Sequence, residues 1–199
     1  NIVGSTTKVT HKYSDGFVNG NAGLTYKINS LGNVYASVSS STDINGGESD
    51  VGGSCGYGGI CVPTGSQISD AKPEKTVNYE IGTKWQLLQQ KLLATAALFR
   101  TIKSDVQEGT GYTTTGSINT GKNQVQGVEF SLVGNLTPKL STQMAVTLMD
   151  SEILESFTAT NKGLQLSNFA RKQANAQFKY QFTPVFALGG AATYQSEMY

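Results

Sequence analysis

Side chains able to do chemistry are few and scattered. His11 is the single histidine among 199 residues, and it falls at an expected strand end without an acid motif beside it. Hydrolysis by a histidine base, or by a nucleophile that such a base activates, needs partners to orient the imidazole. No enzymatic activity is therefore expected, and His11 is read as a solvated rim residue. Cys55 and Cys61 lie within Gly52-Gly53-Ser54-Cys55-Gly56-Tyr57-Gly58-Gly59-Ile60-Cys61, without the four-ligand spacing of structural zinc. A disulfide is expected there. It would close a short loop for about 2 kcal/mol of chain entropy and persist only in an oxidising compartment; two free thiols are the alternative. Asp43, Glu48, Asp50 and Asp70 could offer oxygen ligands to a divalent cation, but their spacing does not fit an EF-hand, and they are read as solvated loop acids. The run from Gly109 to Gly116 sets its last glycine too late for a dinucleotide fingerprint and has no helix pattern behind it. No metal and no resident cofactor are expected.

The background that would position such groups is all-β. Only 15% of the residues are charged and 38% are hydrophobic, both below the usual shares of globular proteins. Gly, Ser, Thr, Asn and Gln make up the difference. Nine Tyr and eight Phe argue against disorder, and the abundance of Gly and Thr argues against helices. A net charge of +1, with no basic cluster, offers nothing to nucleic acid. No 18-residue apolar run and no signal-peptide pattern occur.

Apolar residues recur at every second position. Val18, Gly20, Ala22, Leu24, Tyr26 and Ile28 alternate with Asn19, Asn21, Gly23, Thr25 and Lys27, the period of a strand with one greasy and one wet face. The same alternation runs over Val77–Leu87, Leu140–Leu148 and Ala174–Phe182. Weaker strands are expected near Val34–Ser41, Leu92–Val106, Val125–Leu136 and Val185–Glu197, and one more over Asn1–Lys12, about nine in all. Short turns at 29–33, 88–91, 137–139 and 183–184 alternate with long polar segments at about 42–75, 107–121 and 151–168. All long loops therefore lie at one end of an antiparallel up-and-down meander, as in transmembrane barrels of the outer membrane. Tyr26, Trp85, Tyr180 and Phe182 fall beside the short turns, and Tyr13, Phe17, Tyr79 and Tyr194 toward the long loops, where interfacial girdles are required.

The segment Lys72-Pro73-Glu74-Lys75-Thr76-Val77-Asn78-Tyr79-Glu80-Ile81-Gly82-Thr83-Lys84-Trp85 resembles the "KPE, then YE-x-G-x-K" stretch of TonB-dependent siderophore receptors. Ala96-Ala97-Leu98-Phe99-Arg100-Thr101, then Gly127-Val128-Glu129-Phe130 leading to Gly134-Asn135-Leu136-Thr137-Pro138, then Met149-Asp150-Ser151-Glu152-Ile153 follow in that family's order. The resemblance is strong over about 70–199 and weak before. It implies that residues 1–199 are one partial β-barrel domain, about nine strands of a plugged barrel of about 22, with the plug domain and C-terminal strands absent. It also implies a bacterial outer-membrane receptor for ferric siderophores, loosely of the catecholate branch, energised by TonB acting on the plug and set among outer-membrane lipid and lipopolysaccharide. Another outer-membrane barrel, such as a porin or barrel enzyme, and a soluble β-sandwich binding module are the competing readings.

The resemblance implies a bulky anionic ligand, which arginine, lysine and aromatic faces at the extracellular mouth would hold. The candidates are Arg171, Arg100, Tyr57, Tyr112 and Lys172. Arg171 leads because its parity matches Asn175, Gln177 and Lys179, on the lumen side just below a long loop. A rim arginine paired with lipopolysaccharide or with a neighbouring strand is the alternative for it.

Overall fold

A computed structural model describes residues 16–43, 72–106 and 120–198. Among them are eight strands: β1 (Asn21–Lys27), β2 (Gly32–Asp43), β3 (Glu74–Leu87), β4 (Leu92–Val106), β5 (Gly121–Asn135), β6 (Leu140–Glu155), β7 (Lys172–Thr183) and β8 (Phe186–Gln195). They form a single sheet in sequence order, each strand antiparallel to the next. The further strand expected over Asn1–Lys12 lies outside the described residues.

Local chemistry fixes the short turns. Asn29 Oδ1 accepts from the backbone N–H groups of Leu31 at 2.8 Å and Gly32 at 2.9 Å, and Thr137 Oγ1 accepts from Leu140 N–H at 3.0 Å. Thr183 Oγ1 does the same for Phe186 N–H at 3.0 Å. These are the side-chain-to-backbone bonds that favour turns over continued strand. The turn after β3 instead uses Leu88, Gln89 and Gln90 at φ of 50°, 56° and 66°.

The sheet has no packed core. Among the described residues, Leu92 and Ala170 are the only buried apolar side chains. The register puts Ile81 opposite Leu98, then Val128, then Leu148, and Ile81 and Leu98 are 57% and 56% exposed. A soluble β-sandwich would bury this face against a second sheet. Here it points outward, and Asn78, Glu80, Lys84, Gln143 and Gln177 take the other parity.

The ladder also sets the tilt. Lys27, the last residue of β1, stands opposite Asn33, and the line continues through Lys84, Thr95, Ser131 and Ala145 to Asn175. Asn175 lies eight residues short of Thr183, where β7 ends. Eight residues of about 3.3 Å over six strand spacings of about 4.8 Å give a stagger equivalent to strands inclined at about 40°. The apolar stretches Val77–Leu87 and Leu140–Leu148 then project to about 20–25 Å along the barrel axis, the height of an outer-membrane barrel's apolar band.

One boundary differs from the sequence expectation. β6 continues through Asp150, Ser151 and Glu152 to Glu155, where a loop was expected from 151. Asn123 pairs with Ile153 and Gln124 with Glu152, so hydrogen bonding extends the strand past the apolar band, where alternation ends. Asp43, expected in the longest loop, closes β2 opposite Glu74.

Candidate functional site

The inner wall is mainly polar, interrupted by Phe99 opposite Glu80 and by Met149 opposite Gly127. Tyr35 on β2 donates its hydroxyl to Glu80 Oε1 on β3 at 2.5 Å, and Lys84 Nζ stands 4.9 Å from the centre of the Tyr35 ring, within cation–π range. Toward the long-loop end, Thr101 donates to Asn78 Oδ1 at 2.7 Å and Lys103 pairs with Glu74. Further down, the Thr95 and Ser131 hydroxyls meet at 2.5 Å. These bonds cross between strands, so they fix the wall while leaving a wetted lining. Among the described residues no His, Cys, Asp and Glu side chains gather into a metal-binding group.

The long-loop end carries the candidate ligand residues. The connection from β6 to β7 is laced to the end of β6: Ile153 N–H donates to Leu164 O at 2.9 Å, Gly163 N–H to Ile153 O at 2.8 Å, and Leu166 N–H to Ser151 Oγ at 3.1 Å. Ala170 bridges to Met198. The loop holds a 3-10 turn at Ala159–Asn161 and exposes Phe157 and Leu164.

Arg171 sits at a bend just before β7. Its Nε and Nη2 donate to Asp150 Oδ1 at 3.0 Å and 2.6 Å, and both side chains are more than half exposed. Parity with Asn175 placed it on the lumen side; the bend instead lets the guanidinium reach Asp150, which shares its face with Leu148 and Val146. The neighbouring-strand pairing weighed as the alternative for this arginine is the one present. Lys172 stands opposite Leu148, also on the outward parity.

Arg100 stands opposite Tyr79 and Gln126, on the parity of Leu98, and its Nε donates to Gln124 Oε1 at 2.7 Å. The register thus turns Arg100 away from the lumen, because two residues separate it from outward-facing Leu98. Tyr57, Tyr112, Cys55 and Cys61 lie outside the described residues, as do His11, Glu48, Asp50 and Asp70. Sequence reasoning missed Gln124 and Asp150 as the partners of the two arginines. Asp150 stands within a quoted motif, and the register that sets Leu148 opposite Lys172 brings it beside Arg171.

Comparison with known proteins agrees with this geometry. Residues 2–199 match the family described as TonB dependent receptor-like, beta-barrel. The chain is 32% identical to the catecholate siderophore receptor Fiu of Escherichia coli O157:H7 over 97% of its length, which is 25% of that protein. It is 29% identical to the probable TonB-dependent siderophore receptor PiuA of Acinetobacter baumannii over 98% of its length and 26% of that protein. The crystal structure of the ferric-catecholate import receptor Fiu from Escherichia coli K12 in its closed form superposes at a TM-score of 0.71 with 31% identity, covering 90% of this chain and 24% of that one. The chain thus spans about a quarter of the length of these relatives.

Proposed function

The chain belongs to the TonB-dependent receptor-like β-barrel family, and from that premise we propose that it is wall of a bacterial outer-membrane receptor that takes up ferric siderophores. The observation that carries this reading is a single staggered sheet with an apolar band outside and a hydrogen-bonded polar lining inside. Two of the relatives it matches are named as siderophore receptors. Such a wall surrounds a water-filled or plugged lumen and presents its long loops to the outside. Its work is binding and passage rather than catalysis. TonB acting through a plug supplies the energy, and outer-membrane lipid and lipopolysaccharide surround the band.

The ligand would be an anionic ferric complex of the catecholate kind. Arg171, at the junction of loop and β7, supplies the cation, and Tyr57 and Tyr112 supply aromatic faces. Lys172 adds positive charge beside Arg171. Arg100, on the same outward parity as Lys172 and bonded through Nε to Gln124, lies further along the wall from this pair.

Uptake by the full-length receptor tests the reading. An iron-starved strain deleted for the receptor is expected to recover growth on a ferric catecholate only when both the receptor and a functional TonB are supplied. Growth that is independent of either would overturn it.

A further inference from the structure

Charge is segregated along the wall. Lys27 ends β1, Lys84 stands three residues before the end of β3 and Lys179 four before the end of β7, while Lys91 and Lys139 lie in the short turns themselves. Among the described residues, no Asp, Glu or Arg comes as close to a short turn. The carboxylates begin further up: Glu129 lies six residues before the end of β5 and Glu80 seven before the end of β3. The rest gather toward the long loops.

Three of these lysines share the inner parity. Lys27 and Lys84 flank Asn33 in one cross-strand row, and Lys179 stands opposite Ser141 and Gly189, two residues from Gln177. None of the three is in an ion pair with a described residue. Asn135 shares the row of Ser141 and Lys179, and Glu129 is about 20 Å from it along β5. That exceeds the screening length of about 8 Å in physiological salt. A lining of one sign focuses its field into the space it encloses.

Around Lys179 the wall is hollowed. A groove of about 620 Å³ runs from β5 to β8, lined by Asn135, Ser141, Gln143, Gln177 and Lys179, a size typical of small-molecule sites. Gly189 and Ala191 leave room opposite Lys179 and Gln177. Asn135, Gln143, Gln177 and Lys179 are exposed, and among the described residues their side chains donate to nothing. Amide N–H groups and an ammonium can all donate to anionic oxygen, yet none is a rigid fork as arginine is. Such a site holds an oxygen-rich anion weakly and lets it go, which passage requires.

We propose that the short-turn end of the inner wall is the departure side for an anionic metal chelate, and that the β5–β8 groove is its transit site. Lys179 supplies the charge, and Gln143 and Gln177 supply neutral donors. This rests on the receptor reading above and gives it a direction: arginine and aromatic faces capture at the mouth, and lysine among amides releases. A permanently docked acidic segment of the same receptor would instead set a carboxylate on Lys179 and add to stability.

The test follows the full-length receptor in iron-starved cells supplied with the iron-55 complex of a synthetic tris-catecholate, with surface binding read in de-energised cells and uptake in energised ones. Lys179→Glu is expected to lower the maximal uptake rate fivefold or more while the surface Kd stays within twofold of wild type. Gln177→Glu, which sets a carboxylate beside the ammonium, is expected to lower the rate threefold. Lys139→Glu, at a turn tip outside the groove, is expected to transport as wild type does, and purified Lys179→Glu to keep the wild-type urea midpoint. Wild-type uptake by Lys179→Glu, an equal loss in Lys139→Glu, or a lowered urea midpoint that marks a docked segment would overturn the proposal. A wild type that neither binds nor takes up the chelate would overturn the receptor reading on which it rests.

Discussion

The ring of Tyr35 lies across Gly82, its direct partner on β3. A Cβ at Gly82 would come within 2.6 Å of the Tyr35 hydroxyl oxygen and 2.8 Å of Ala96 O. The missing side chain lets the ring lie down and reach Glu80.

Gly82→Ala is therefore expected to displace Tyr35, break its bond to Glu80 and lower stability by about 1–3 kcal/mol through overpacking. Urea unfolding of the full-length receptor in detergent measures this. Because the ring is one of the two obstacles, the Ala96 carbonyl being the other, Tyr35→Ala combined with Gly82→Ala should cost less than the sum of the two while still costing more than Tyr35→Ala alone. Strict additivity would show that the ring does not depend on Gly82.

Asp150→Asn separates the roles of the exposed pair. An exposed arginine–carboxylate pair is worth at most about 1 kcal/mol, so this variant should unfold at nearly the wild-type denaturant concentration. Arg171→Ala should also keep the barrel yet weaken binding of an iron-loaded catecholate several-fold in a fluorescence-quenching titration. Asp150→Asn, which leaves the arginine charged and unpaired, should not weaken it. Unchanged binding in Arg171→Ala would remove that residue from the ligand site.

Position on the two faces is testable by charge. Phe130 is 51% exposed within the outward band, so Phe130→Arg should destabilise the folded barrel by about 2–4 kcal/mol when refolded into bilayers. Gln143→Arg, on the inner parity of the neighbouring strand, should be tolerated within about 1 kcal/mol. Equal costs would mean that the two faces are wrongly assigned.

The stagger makes a spectroscopic prediction. Polarised infrared absorption of the receptor in oriented bilayers should report strands at about 35–45° to the membrane normal. A value near 20° would contradict the ladder.

Most of the architecture was legible where lipid imposes alternation. Val77–Leu87 and Ala174–Phe182 were readable because one parity must be greasy across the band. Past the band both faces meet water, so Asp150, Ser151 and Glu152 carry no alternation, and the end of β6 was read as loop. The arginines were legible as residues but not as placements. The parity of Arg171 was extended backward through a bend that breaks it. Arg100 was assigned to the mouth by chemical type, although its spacing from Leu98 already fixed its face. Tyr57 and Tyr112 came from the resemblance and fall outside the described strands.

The eight-residue slip of the ladder between β1 and β7 has a mechanical side. Force directed along the axis of such a wall has a large component along every strand, so it loads the interstrand hydrogen bonds in shear, many at a time. A sheet pulled across its strands would open one bond after another, as a zip does. A wall inclined at about 40° resists axial pulling collectively, which suits a housing from which something else is drawn.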